Sequence, residues 1–91
     1  MPFYRKRPVV IEAVQWRGDN EDEMLEWMGE EFYVREPYVG ELTGNAYTAV
    51  IWVNANTNWL NIVTGEWVIK DSLGFYPCKN EQFHETYEKV E

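Results

Sequence analysis

The order of apolar and polar positions along the chain predicts a mixed α and β domain. Residues 9–16 are apolar on both alternating faces and lie between Pro8 and a turn at 18–20. They predict a central strand that is covered on both sides. The second half of the chain predicts an antiparallel meander of four short strands. Its apolar runs are separated by turns rich in Asn and Gly and lie at 47–53, 59–63, 66–70 and 75–78. Residues 32–35 predict a short strand, followed by a loop.

Two helices are predicted beside these strands. Asn20 followed by Glu23 is the pattern of a capping box, and Gly29 is a typical helix stop. The second helix begins at Asn80. Its inward-facing side chains are predicted to be Phe83, Tyr87 and Val90. The predicted fold is α+β, a small bent antiparallel sheet of about five strands with two short helices packed on it. The sequence does not decide whether the sheet closes into a barrel.

Size and composition are those of one globular domain spanning 1–91, with residues 1–8 as a basic arm. The 91 residues are 45% hydrophobic and 16% aromatic, enough for a compact core. No apolar run approaches the roughly 20 residues that span a bilayer, so no membrane partner is expected. The single cysteine, Cys78, cannot form an internal disulfide, which favours a reducing cytoplasm.

Charge is distributed unevenly between the arm and the rest of the chain. The net charge is −8, yet three of the eight basic residues lie within the first seven positions, and the other 84 residues carry 5 basic and 16 acidic groups. Such an acidic body repels phosphate backbones, so direct nucleic-acid binding is not expected. Either the acidic surface serves solubility, or it competes with nucleic acid for a basic partner.

Two blocks of the sequence carry a resemblance. The first is Tyr4-Arg5-Lys6-Arg7-Pro8-Val9-Val10-Ile11-Glu12-Ala13, and the second is Gly65-Glu66-Trp67-Val68-Ile69-Lys70 with Gly74-Phe75-Tyr76-Pro77-Cys78, Phe83 and Tyr87. They resemble the two ends of a family of short bacteriophage and prophage proteins. Its first block is Tyr-Arg-Lys-Lys-Pro-Val-x-Ile-x-Ala-like, and its second runs Gly-Asp-Trp-Ile-Ile, Tyr-Pro-Cys, Phe-x-x-x-Tyr.

The resemblance covers about half of the chain, with little likeness over 19–60. Glu66 stands where the family usually has Asp, and residues 71–73 loosen the turn before Gly74. The resemblance implies a phage origin and the host bacterial cytoplasm as location. It implies no activity, because a family likeness does not define a site.

Catalytic and metal-binding residues are scarce. The chain has one histidine, His84, one cysteine, Cys78, and one serine, Ser72. A thiolate paired with an imidazole is a conceivable nucleophile, but nothing in the sequence suggests a third, orienting group. A small buried thiol and a solvated imidazole are the alternative. One Cys and one His without ligand spacing do not indicate zinc, and no phosphate-binding Gly loop is present, so we predict no catalytic residue, metal or cofactor.

Charged and aromatic residues supply the predicted binding site. Glu12 lies among apolar neighbours, so its carboxylate needs a partner, and Lys70 is the candidate. The two residues form either a structural ion pair or part of a polar ligand pocket. Arg5 and Gln15 would complete that pocket. Aromatic side chains either fill the core or form a stacking platform. The predicted aromatic members of the site are Trp16, Trp59 and Tyr76, with Trp59 the most exposed.

Three main functions compete. The first is a non-enzymatic binding module that acts on a host or phage protein. The second is a small-molecule binder, such as a sponge for a nucleotide signal of host defence, with its pocket at a subunit interface of a homo-oligomer. The third is a small enzyme, which requires Cys78 and His84 within hydrogen-bonding reach. A virion accessory role is a further alternative.

Overall fold

The computed structural model describes residues 2–4 and 9–90 of the chain. The strands are β1 (Glu12–Gln15), β2 (Phe32–Val39), β3 (Ala46–Val53), β4 (Asn58–Val63), β5 (Trp67–Asp71) and β6 (Gly74–Cys78), and the α-helices are α1 (Glu21–Met28) and α2 (Asn80–Thr86). The predicted α+β class is confirmed.

The described strands form two sheets instead of one. Their orders are β1-β5-β6 and β2-β3-β4, with three strands in each sheet and every pair antiparallel. The prediction of a single sheet of about five strands is therefore wrong, and so is the four-strand meander. The reason lies in the turn between β4 and β5. Its Gly65 N–H donates to the Trp16 carbonyl at 2.6 Å, and the Trp16 N–H donates to the Glu66 carbonyl at 2.8 Å. These bonds join the turn to the end of β1, so β4 and β5 enter different sheets.

β1 is shorter and less covered than predicted. It pairs only with β5, so it is an edge strand of the described sheet, and the prediction of a central strand is wrong. Val9 and Val10, which the sequence assigned to the strand, precede it and are 66% and 79% exposed. Apolar composition on both faces did not make the strand central, because among the described strands only β5 pairs with it, and residues 9–11 precede that pairing.

The main core lies between the two sheets and α1. Trp16, 1% exposed, packs edge-on against Phe32 with ring centroids 5.2 Å apart, and its indole N–H donates to the Thr48 hydroxyl at 2.9 Å. The other buried members are Met24, Met28, Ala49, Ile51, Val53, Ile62, Val68 and Phe75. A β-bulge interrupts the β3–β4 register between Tyr47 and Ala49, where Thr48 meets the Trp16 indole.

α1 has the predicted length but not the predicted cap. Its bounds follow Asn20 and precede Gly29, whose φ of 63° favours glycine. The Asn20 side chain does not bond to a helix N–H. It accepts from Arg17 N at 2.9 Å and donates to Glu23 Oε1 at 2.8 Å. The hydrogen bond from Asn20 is the main cause that lowers the pKa of Glu23. Desolvation opposes it, and the Arg17 guanidinium lowers the pKa further.

α2 covers the β1–β5–β6 sheet on the side away from the main core. Phe83 stacks on Trp67 with centroids 3.9 Å apart and planes 4° apart, and Ile69 beneath is fully buried. Of the predicted inward residues Phe83 is buried and Tyr87 half-buried, but Val90 is 69% exposed, because α2 ends at Thr86.

Candidate binding surface

The outer face of the β2–β3–β4 sheet carries a contiguous set of aromatic and polar side chains. We call this surface the aromatic face and define it as Tyr33, Arg35, Tyr38, Trp52, Trp59 and Asn61. Tyr33, Tyr38 and Trp59 are 48%, 45% and 42% exposed. Beneath them Val50, the register partner of both Tyr33 and Asn61, is only 5% exposed. The side chains therefore cover the sheet and still present their outer edges to solvent.

The strand register brings these residues together. The loop between β3 and β4 reverses the chain, with Thr57 in the left-handed region at φ 46°. This reversal places Trp52 directly opposite Trp59. Because side chains on a strand alternate between faces, Asn61 joins Trp59 on the outer side, and Arg35 joins Tyr33.

The aromatic rings form a ridged surface and not a flat platform. The Trp59 ring centroid lies 5.3 Å from that of Tyr33 and 5.4 Å from that of Trp52. The ring planes are inclined by 58° in the first pair and 68° in the second. Edge-to-face arrangements of this kind are favourable between aromatic quadrupoles, so the free protein holds the ridges in place.

Arg35 orders the polar side of the aromatic face. Its Nη1 donates to Asn61 Oδ1 at 2.7 Å, and its guanidinium carbon lies 5.0 Å from the Tyr38 ring centroid. A register shift between Val34 and Tyr38, around Pro37, lets Tyr38 come beside Arg35. Asn61 uses its amide oxygen to accept from Arg35, and neither its amide nitrogen nor the Trp59 indole N–H donates a hydrogen bond to another described residue. Both are donors for a ligand.

The predicted polar pocket is only partly assembled. Glu12 and Lys70 are direct partners in the β1–β5 register, as the sequence suggested, but both are exposed and no ion pair within 4.0 Å joins them in the described structure. Lys70 Nζ lies instead 5.7 Å from the Phe75 ring centroid. Gln15 lies on the opposite face of β1 from Glu12, because the two positions differ by an odd number of residues. Arg5 lies outside the described residues.

Gln15 belongs to a structural hydrogen-bond cluster. Its Nε2 donates to the Gly65 carbonyl at 3.0 Å and to Asn80 Oδ1 at 3.3 Å, and the Trp67 indole N–H donates to the same Asn80 oxygen at 2.9 Å. These bonds attach the start of α2 to the sheet. A role of Gln15 in ligand binding stays a prediction.

The three predicted aromatic site residues lie in three different environments. Trp16 is in the main core, where no ligand reaches it without unfolding. Tyr76 is half-buried, with its hydroxyl 3.4 Å from that of Tyr87. Burial first, and then the Tyr87 hydroxyl, raises the pKa of Tyr76. Trp59 belongs to the aromatic face and is the most exposed of the five tryptophans.

The Cys78–His84 pair does not form in the described structure. The Cys78 thiol is 3.6 Å from the Lys79 carbonyl, and His84 lies edge-on to Trp67. Burial, and then the Glu66 carboxylate, raises the pKa of Cys78, which disfavours the thiolate. The geometry required by the enzymatic hypothesis is therefore absent between these two side chains.

The described residues contain neither a metal-binding cluster nor a helix that could span a membrane. Over 2–4 and 9–90, no group of three or more His, Cys, Asp or Glu side chains is placed to hold a metal ion. Within the same ranges no helix has both the length and the apolarity to cross a bilayer.

Sequence reasoning found Trp59 but missed the rest of the aromatic face. It assigned most of 32–46 to a loop because of Pro37, Gly40 and Gly44. The signal that could have found the surface is the period of two in Tyr33-x-Arg35 and Trp59-x-Asn61, which places ring and polar group on one side of each strand.

Comparisons with protein-family models, with curated proteins and with solved structures find no significant match to this chain.

Proposed function

We propose that this chain is a phage-encoded, non-enzymatic binding module that acts on a host or phage protein, and that an extended, proline-rich segment of that protein docks on the aromatic face. The observation that carries the proposal is the ridged row of Tyr33, Trp59 and Trp52 on an uncovered sheet. The phage origin rests on the resemblance of the two terminal blocks.

The inclination of the rings favours a peptide over a flat ligand. A nucleobase or a sugar ring stacks best on an open, flat aromatic surface. Here the planes meet at 58° and 68°, which leaves notches between the rings. Proline rings of a polyproline II segment fit such aromatic-lined notches, and the segment loses little conformational entropy on binding because its helix is already formed.

The polar groups of the aromatic face complement the same ligand. A polyproline II segment has no internal hydrogen bonds, so its carbonyls are open acceptors. Donors are available on the Trp59 indole and the Asn61 amide, beside the Arg35 guanidinium. Trp, Tyr and Arg are also the residue types that contribute most to binding energy in protein interfaces.

The charge of the protein adds a selectivity for basic flanks. The net charge is −8, and Glu31 and Glu36 lie next to the aromatic face in the chain. Such a field attracts a proline-rich segment flanked by Lys or Arg and repels polyanions. Direct nucleic-acid binding is disfavoured for the same reason.

A titration followed by amide and indole NMR shifts tests the proposal. The probe is a synthetic decaproline peptide with two lysines at each end, and the matched control peptide replaces every proline by alternating Gly and Ser. We expect the proline peptide to shift the Trp59 and Trp52 indole signals, and Trp59→Ala to weaken binding at least about tenfold. Leu42→Ser, at a fully exposed position in the loop between β2 and β3 that is not a member of this face, is the control variant and leaves binding unchanged.

Three results would overturn the proposal. The first is equal binding of the Gly-Ser peptide, and the second is the absence of shifts at the aromatic face. The third is a stronger response of that face to a soluble glucan hexasaccharide or to cyclic di-AMP, which would favour a small-molecule binder.

A further inference from the structure

A second apolar surface, distinct from the aromatic face, lies beside α2. It is a groove of about 610 Å³ between the residues that lead into β1 and the end of the chain after α2. Val9 and Ile11 form one wall, and Phe83, Tyr87 and Val90 form the other. We call it the α2 groove. Nothing in the aromatic face or in its proposed ligand involves these residues.

Two apolar side chains near the start of the sequence do not pack against the described residues of their own chain. Phe3 and Tyr4 are 95% and 92% exposed, so neither occupies the α2 groove of the same molecule. Val9, which begins the groove wall, comes after Tyr4 with only four intervening residues. The two aromatic side chains are therefore close in sequence to the groove wall, and they do not line the groove of their own molecule.

Charge complements this apolar match. Residues 1–8 contain Arg5, Lys6 and Arg7 and no acid, a charge of +3. Residues 80–91 contain four glutamates and one lysine, a charge of −3 with His84 neutral. The segment that carries Phe3 and Tyr4 and the segment that forms the far wall of the groove are therefore equal and opposite in charge.

We infer that the α2 groove binds Phe3 and Tyr4 of a second copy of this chain, so that two molecules exchange their N-terminal arms in a symmetric dimer. In a two-fold dimer each arm enters the partner's groove, and the contact is made twice. β1 lies at the edge of its sheet, and residues 9–11 run on from it without a ladder partner in the described structure. Residues 9–11 of the two copies, which connect each arm to β1, can therefore approach each other along this edge.

The buried area is that of a small interface and fits a dimer that dissociates at low concentration. Four aromatic side chains, two from each arm, bury about 600–1,000 Å². The groove walls that they cover add a smaller area, so the contact lies at the lower end of the size range of specific interfaces. A domain of this size has a small core, and association is a common supplement to its stability.

Sedimentation equilibrium of the full chain over a range of concentrations tests the inference. We expect a dimer, and Phe3→Ser with Tyr4→Ser should weaken its dissociation constant at least about tenfold, because both anchors lose their apolar surface. Val90→Lys, at the exposed rim of the groove, should weaken it as well, because the lysine has the same sign of charge as the incoming arm. Leu42→Ser, an equally exposed apolar position elsewhere, should leave the dimer unchanged.

Disulfide cross-linking between copies with different cysteines distinguishes an arm that enters the partner's groove from an arm that enters its own. In a Cys78→Ser background, Tyr4→Cys protein is mixed with Val90→Cys protein. A disulfide between the two species is expected if arms are exchanged, whereas a chain carrying both cysteines that closes on itself as a monomer overturns the inference.

Two further results would also overturn it. One is a monomer at every concentration. The other is a dimer that Trp59→Ala disrupts and the arm variants do not, since that would place the interface on the aromatic face. Peptide binding and dimer formation are measured separately, so either proposal can fail without the other.

Discussion

The two sheets of this protein carry aromatic side chains of the same kinds, but they use them differently. On the β1–β5–β6 sheet, Trp67 lies under the Phe83 ring, and Ile69 beside it is fully buried. On the β2–β3–β4 sheet, Tyr33 and Trp59 are about half exposed, at 48% and 42%, and no described helix lies over them.

The difference comes from the segment into which the last strand of each sheet continues. β6 leads through Lys79 directly into α2, which returns over β5, whereas β4 leads into the turn that joins β1. A tryptophan on a strand is therefore a core residue or a surface residue according to whether a helix is placed over it. The exposed outer face of the β2–β3–β4 sheet is the surface on which we propose that a peptide docks.

The largest expected effect separates a core tryptophan from a surface one. Trp16→Ala removes a side chain that is 1% exposed and should cost about 3–5 kcal/mol of unfolding free energy, much of the total for a domain of this size. Trp59→Ala should cost under about 1 kcal/mol, because water already reaches the ring. Urea unfolding measures both. Equal losses would contradict the division into core and aromatic face.

Removing the helix contact should make the covered sheet resemble the uncovered one. Phe83→Ala deletes the ring that stacks on Trp67 at 3.9 Å and should cost about 3 kcal/mol. Amide hydrogen exchange should accelerate in α2 before the rest of the molecule, and binding of the dye ANS should increase. If exchange rises uniformly instead, α2 does not open as a separate unit. Leu73→Ala, at a 63% exposed position, is the control.

A smaller loss is expected from the polar attachment of α2. Asn80→Ala removes the acceptor of the Trp67 indole N–H at 2.9 Å and of Gln15 Nε2 at 3.3 Å, and should cost about 1 kcal/mol. Asn80→Asp keeps the acceptor and should retain most of the stability. Thermal unfolding of the two variants compares them, and an equal loss in both would mean that the hydrogen bonds are not the cause.

At neutral pH the smallest change in the free energy of unfolding is expected for Tyr76→Phe. At high pH the same substitution should have a separate effect. Its pKa is raised in the folded state, so the folded protein holds the phenol proton more tightly than the unfolded chain does. The corresponding stability is present below the unfolded pKa of about 10 and decreases as pH rises above it. Tyr76→Phe should flatten that alkaline decrease in urea unfolding. A decrease that is as steep in the variant would assign it to other groups.

Local patterns predicted most of the elements. The bounds of α1 followed from Asn20 and Gly29, and β3 and the start of α2 lie within one residue of their predicted positions. These elements depend on neighbours in sequence, such as caps, turns and periodicity. The candidate site was much less predictable. Trp59 was found, but Tyr33 and Trp52 were not, because their proximity depends on the register of two strand pairs.

By itself, the sequence determined the class of the fold, the identity of most strands and helices, and the charge that disfavours nucleic acid. Only the tertiary structure decided that the strands divide into two sheets, that Trp16 is core, and that Trp59 joins a surface row. The physical reason is that burial is a property of the assembled layers. Bonds such as Gly65 N–H to the Trp16 carbonyl span distant parts of the chain, and no local pattern encodes them.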